Sequence, residues 1–220
     1  MAFLYEKIKS TGADIVRVEA KLNGKHVLLD DEESFLLDRF HSLKAFVDHK
    51  LINGILWTNL FKKECFDNIK FNENLNIFED LDVMWQILRK INNVACYNVR
   101  KYNYMESNVS LTRKSISYDR LNATFTVWDR ILSESVNNFE LNYLIDDVRS
   151  IRAGWIYGSL KLMYRFDFYD LKFERRIQKE LRDNYNLLMK KTKSAKDRFF
   201  ISLCCINLRI SRLLYKKIIR

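Results

Sequence analysis

Strand-like alternation is confined to the first 113 residues of this 220-residue chain, and from Tyr118 onward the pattern is helical. A strand buries one face when apolar residues recur every second position, a helix when they recur every third or fourth. ADIVRVEAKL, residues 13 to 22, and VACYNV, 94 to 99, have the shorter period. Residues 2 to 10, Glu33 to Val47 and 80 to 91 have the longer one, and Leu81, Met84, Trp85 and Leu88 form a single stripe. Thr11-Gly12 ends the first helix, and Asn23-Gly24 predicts a hairpin turn into HVLLD. An asparagine-rich loop is expected from Ile69 to Phe78. The expected fold is a helix-rich chain: an α/β portion over 1–113, an all-α extension over 114–198 and a basic amphipathic helix over 199–220.

The turn formers are scarce in a way that excludes chemistry. There is no proline, and Gly12, Gly24, Gly54, Gly154 and Gly158 stand apart from one another. Rossmann and Walker loops need clustered glycine so that backbone can approach phosphate, and no such cluster exists. Gly154 and Gly158, four apart in a helical stretch, predict close helix packing. Cys65, Cys96, Cys204 and Cys205 have no CxxC or Cys/His spacing and read as buried reduced thiols. His26, His41 and His49 match no metal-ligand spacing. No apolar run reaches the roughly 18 residues of a membrane span, and MAFLYEKIKS, with an acid at position 6 and no long apolar core, is not expected to act as a signal peptide.

The net charge of +10 is unevenly placed. Residues 190 to 220 hold ten Lys or Arg against one acid, Asp197, which leaves about +1 for everything before them. Within RFFISLCCINLRISRLLYKKIIR a single helix would place Phe199, Phe200, Leu203, Ile206, Ile210, Leu213 and Leu214 broadly on one side. That arrangement fits an anionic membrane surface, or a terminal helix docked on its own domain with a solvated basic rim. Nucleic acid is not expected, because no aromatic-basic stacking platform accompanies the charge.

The acidic pair Glu79-Asp80 heads the apolar stripe at 81–88. Two readings are open. Asp80 caps the helix, its carboxylate accepting from an orphan N–H of the first turn and meeting the positive helix end. Alternatively the pair is the reactive end of a site.

The surrounding stretches favour a site. LYEKIKSTGADIV (4–16), WTNLFKKECFDNIKF (57–71), FEDLDVMWQIL (78–88) and YNYMESNVSLT (102–112) follow one another in fixed order. Together they resemble the second half of the bacterial family 2 glycosyltransferases that build capsular and other cell-surface polysaccharides. The second stretch is similar to W-x-K-L-Y-K-R, the third to the Y-E-D-L segment that holds the acidic pair, and the fourth to the closing Y-x-Y-R-x-R-x-x-S-I-T.

The resemblance implies a partial GT-A sheet and an inverting transfer of a sugar from a nucleotide donor to an acceptor hydroxyl. It makes Asp80 the general base with Glu79 beside it, and assigns Trp57, Tyr102 and Tyr104 to the acceptor side. It does not extend to the family's opening strand or to the DxD that holds Mn²⁺ or Mg²⁺ and the donor diphosphate. Asp30-Asp31 fits a loop better than a substitute for that motif. Asn59 stands where the family has Lys, and Met105 and Ser107 where it has Arg. The expectation is a glycosyltransferase-like protein that binds no cofactor and is inactive as an isolated chain. A separate chain would supply the nucleotide-binding half, in an oligomer or hetero-complex at the cytoplasmic inner face of the cell membrane. The alternative is a non-catalytic scaffold or partner subunit of a polysaccharide-synthesis complex.

Overall fold

A computed structural model describes residues 1–22, 33–105 and 116–218. The chain divides into two compact units, Met1–Lys114 and Ser115–Arg220.

The first unit is built on a four-stranded mixed sheet in the order β2-β4-β1-β3. Its strands are β1 (Ile15–Leu22), β2 (Ser34–Asp38), β3 (Asn59–Phe61) and β4 (Asn93–Tyr104). The central pair β1 and β4 runs parallel, and the outer strands pair antiparallel to them. Helix α1 (Ala2–Thr11) ends at Gly12, whose φ of 67° is the left-handed conformation glycine adopts without strain. Alternation then sorts the sheet. Val16, Val18, Ala95, Tyr97 and Val99 form one core with Leu4 and Ala13, while Val94 and Cys96 go to the opposite face. There α2 (Arg39–Val47) and α3 (Glu79–Leu88) meet, with the rings of Phe46 and Trp85 6.1 Å apart.

One expectation changes in this unit. Residues 34–38 are not the start of a helix but strand β2, paired with β4 from Ser34↔Tyr97 to Asp38↔Asn93. Helix α2 begins where it does because the Asp38 carboxylate accepts from the His41 N–H at 2.8 Å, a side-chain N-cap that fixes the boundary. Tertiary pairing has overridden the local helical spacing. The Asn23-Gly24 turn, HVLLD, Asp30-Asp31 and His26 lie outside the described residues.

The second unit is helical throughout its described residues. It comprises α4 (Tyr118–Asn137), a 3-10 segment (Phe139–Leu144), α5 (Ile145–Arg165), α6 (Leu171–Asp183), α7 (Tyr185–Lys191), α8 (Ala195–Ile206) and α9 (Leu208–Ile218). Helix α5 lies at its centre, touching α4, α6, α7 and α9. Phe125, Ile156, Leu160, Met163, Tyr164, Ile177, Leu181, Phe200 and Cys204 fill the core. Burying each of these large apolar side chains is worth about 1.5–3 kcal/mol before chain entropy is counted. Arg152 ties three helices, bonding to Asp129 of α4 at 2.7 Å and to Glu180 of α6 at 2.6 Å. Glu174 of α6, fully buried, pairs with Arg212 of α9. The four cysteines are free, three of them buried and Cys205 half-buried.

The single terminal helix expected over 199–220 is two helices. The chain leaves helical geometry at Asn207 (φ −147°, ψ 107°), whose side chain accepts from Arg209 N and Ile210 N and so starts α9. The break redistributes the apolar residues. Phe200, Ile201, Cys204, Leu208 and Tyr215 turn inward, while Phe199, Ile206, Ile210 and Leu213 stay exposed.

The glycines at 154 and 158 are not a packing device. A Cβ added at either would meet nothing within 4 Å, so no neighbouring helix requires their smallness. Gly154→Ala and Gly158→Ala are each expected to stabilise the helical unit by about 0.5–1 kcal/mol, because alanine loses less entropy in a helix interior. Urea unfolding followed by circular dichroism measures this, and destabilisation by either change would contradict it.

Candidate functional site

The acidic pair takes its position from a short turn. Residues 53–59 run from Asn53 to the start of β3 and carry Trp57. Asn53 Oδ1 accepts from Ile55 N at 3.2 Å, and Asn59 Nδ2 donates to the carbonyls of Ile55 at 2.6 Å and Leu56 at 3.2 Å. Asn59 therefore serves as a staple inside the turn. Gly54 presses this turn onto α3: a Cβ there would lie 2.6 Å from the Leu81 Cβ and 2.8 Å from its Cα. No other residue fits without moving backbone.

The contact delivers a backbone amide to the acid. Leu56 N–H donates to Asp80 Oδ2 across 3.5 Å, a long bond joining positions 24 apart in sequence. This revises the capping reading. The N-cap of α3 is Phe78, which makes no side-chain capping bond, and Asp80 is the second residue of the helix. Its carboxylate turns to a neighbouring loop instead. Phe78 sits at φ 68° and ψ 11°, a left-handed conformation that costs a bulky residue on the order of 1–3 kcal/mol. Strained backbone thus immediately precedes the acidic pair.

Burial, the largest influence, pushes the Asp80 carboxyl above the ordinary aspartate value of 3.8; adjacent Glu79 adds to the rise and the Leu56 amide opposes it. Burial thus disfavours the charged form that a helix start favours. Oδ1 has no hydrogen-bond partner among the described residues. Glu79 is half-buried at the first position of α3.

The aromatic residues singled out from sequence do assemble. Trp57 stacks on Tyr104 with ring centroids 5.0 Å apart and planes 18° apart, and meets Tyr102 at 4.6 Å and 40°. The two tyrosines share a face of β4 because they are two residues apart. They reach that position through irregularities in the β1–β4 pairing: Arg17 pairs with Cys96, but Glu19 pairs with Arg100 and Ala20 with Tyr102. Tyr102 is exposed, and Trp57 and Tyr104 are half-buried, so the cluster presents aromatic surface to solvent. Met105 is 72% exposed, and Ser107 lies outside the described residues.

One charged residue escaped the sequence reading. Arg17 is 4% exposed, lies opposite Asn59 and Cys96 in register, and donates to Glu19 Oε1 at 2.7 Å. Its buried Nε has no hydrogen-bond partner among the described residues. A signal was present: Arg17 and Glu19 occupy alternate, same-face positions inside an otherwise apolar strand, where burial of a cation needs a partner. Among the described residues no three His, Cys, Asp or Glu side chains are grouped to hold a metal ion.

No protein-family model matches the chain, and no curated protein does. The candidate site therefore rests on its own geometry.

Gly54→Ala is expected to destabilise the first unit by about 1–3 kcal/mol, because overpacking must move Leu81 or the turn. Its Leu56 amide should also lose hydrogen-exchange protection. Unchanged stability and protection would show that the turn does not depend on this contact.

Proposed function

We propose that Asp80, Trp57, Tyr102 and Tyr104 form the acceptor side of a sugar-transfer centre of the family 2 glycosyltransferase kind. The observation that carries this reading is the Leu56 N–H to Asp80 bond, which ties a partly desolvated carboxylate to the residue next to Trp57 of the aromatic cluster. Neither feature is needed to hold a helix end.

The chemistry follows from the parts. Inverting displacement at an anomeric carbon requires the acceptor hydroxyl to lose its proton as its oxygen attacks, and the proton goes to a carboxylate oxygen. In Asp80 the Leu56 amide occupies Oδ2, which leaves Oδ1 for the hydroxyl. A carboxyl raised above its ordinary value holds a proton more strongly, so the group is a better base than a solvated aspartate. The faces of Trp57, Tyr102 and Tyr104 provide the flat, electron-rich surface on which the C–H side of a sugar ring rests. Positioning supplies most of the rate effect in such an arrangement. Glu79 raises the negative potential beside Asp80. The donor-binding half lies outside the resemblance, and a second chain carrying it would complete the enzyme. Without that chain the protein acts as a saccharide-binding subunit.

Saturation-transfer NMR with a panel of oligosaccharides and nucleotide sugars, with Mn²⁺ or Mg²⁺ present, tests the reading. The expected result is transfer from aromatic protons to a saccharide, none to the nucleotide sugars, and a loss of at least about tenfold in affinity (about 1.4 kcal/mol) in Trp57→Ala. Saccharide binding that survives Trp57→Ala unchanged, or no saccharide binding at all, would overturn it.

A further inference from the structure

We infer that the C-terminal helix pair α8 and α9 is a docking surface for an anionic lipid bilayer, an interaction separate from the sugar site. The break at Asn207 gives each helix an inward and an outward side. The inward sides are committed. Phe200, Cys204 and Tyr215 enter the core, Arg212 pairs with Glu174, and Asp197, the one acid of the region, accepts from Tyr157 at 2.7 Å and Lys161 at 3.2 Å.

What remains outward is apolar and positive. Phe199 is 59% exposed, Ile206 77%, Ile210 45% and Leu213 76%. On α8, Lys196, Phe199 and Ile206 fall three and seven residues apart, one stripe along the helix; on α9, Ile210, Leu213 and Lys217 fall three and four apart, again along one side. Lys196, Arg198, Arg209 and Lys217 are exposed, and none forms an ion pair among the described residues. Exposed aliphatic groups at helical spacing, bordered by unpaired cations, mark an interaction surface rather than a solvated face. Neither helix is long and apolar enough to cross a membrane. The arrangement suits helices lying in the interface, with the apolar stripe at the headgroup boundary and the cations among lipid phosphates.

Charge decides between occupants. A second copy would bring cations against cations, which costs free energy at an interface. A nucleic acid would pair with the basic groups but leave Ile206, Ile210 and Leu213 against a phosphate backbone, with no use for aliphatic surface. An anionic bilayer matches both components.

Flotation of the full chain with phosphatidylglycerol-containing vesicles, against pure phosphatidylcholine vesicles, tests the inference. The chain is expected to float with the anionic vesicles and to remain below with the neutral ones. Ile206→Ser combined with Leu213→Ser should weaken binding at least about tenfold. Arg209→Glu or Lys217→Glu should weaken it about fivefold each, more at low salt. These side chains are exposed, so thermal unfolding should be unchanged, and the charge reversals give a readout independent of the apolar pair. The inference is overturned by absence of flotation, by equal flotation with neutral vesicles, or by serine variants that bind as before. Duplex DNA binding tighter than vesicle binding, or a dimer abolished by Leu213→Ser without vesicle binding, would overturn it as well.

Discussion

The first unit depends on how closely Gly54 lies against Leu81. A methyl group at position 54 would sit 2.6 Å from the Leu81 Cβ, so a single absent carbon lets the turn rest on the first residues of α3. From that contact the rest follows in order. Leu56 comes within reach of Asp80, Asn59 closes the turn from inside, and Trp57 is carried to the end of the sheet where Tyr102 and Tyr104 emerge from β4. Position 54 has no special backbone angle; the constraint is volume.

A second tension lies at the helix start. A helix N-terminus stabilises negative charge, whereas burial opposes it. At Asp80 burial prevails and the carboxyl is raised. The left-handed Phe78 is part of the same arrangement, since it turns the chain into α3 without a side-chain cap. A helix built only for stability would place Ser, Asp or Asn at that position, worth about 1 kcal/mol. The departure from local preference falls beside the acid pair, where strain and function commonly coincide.

Much of the fold was legible because periodicity reports which face is buried. The alternation of Ile15 to Leu22 and the stripe from Leu81 to Leu88 both gave the correct element, and Gly12 gave the correct end to α1. Local pattern failed where pairing or caps decide. Residues 34–38 joined β4 although their spacing suited a helix, and Asn207 divided the terminal helix although apolar residues continue across it. At the candidate site, the resemblance named Trp57, Tyr102 and Tyr104 without predicting ring contacts among them, which only the folded chain reveals. The role of Asn59 as a staple was invisible, because side-chain bonds to the carbonyls at 55 and 56 leave no periodic trace. Gly154 and Gly158 mimicked a packing motif that the open space beside them does not support.

The central claim is that the 53–59 turn holds a partly desolvated Asp80 through the Leu56 amide. An NMR titration following the Asp80 carboxyl carbon together with the Leu56 amide tests it most directly. The carboxyl midpoint should lie above the ordinary 3.8, and the Leu56 amide should shift at the same midpoint. A midpoint at or below 3.8, with the Leu56 amide silent throughout, would contradict it.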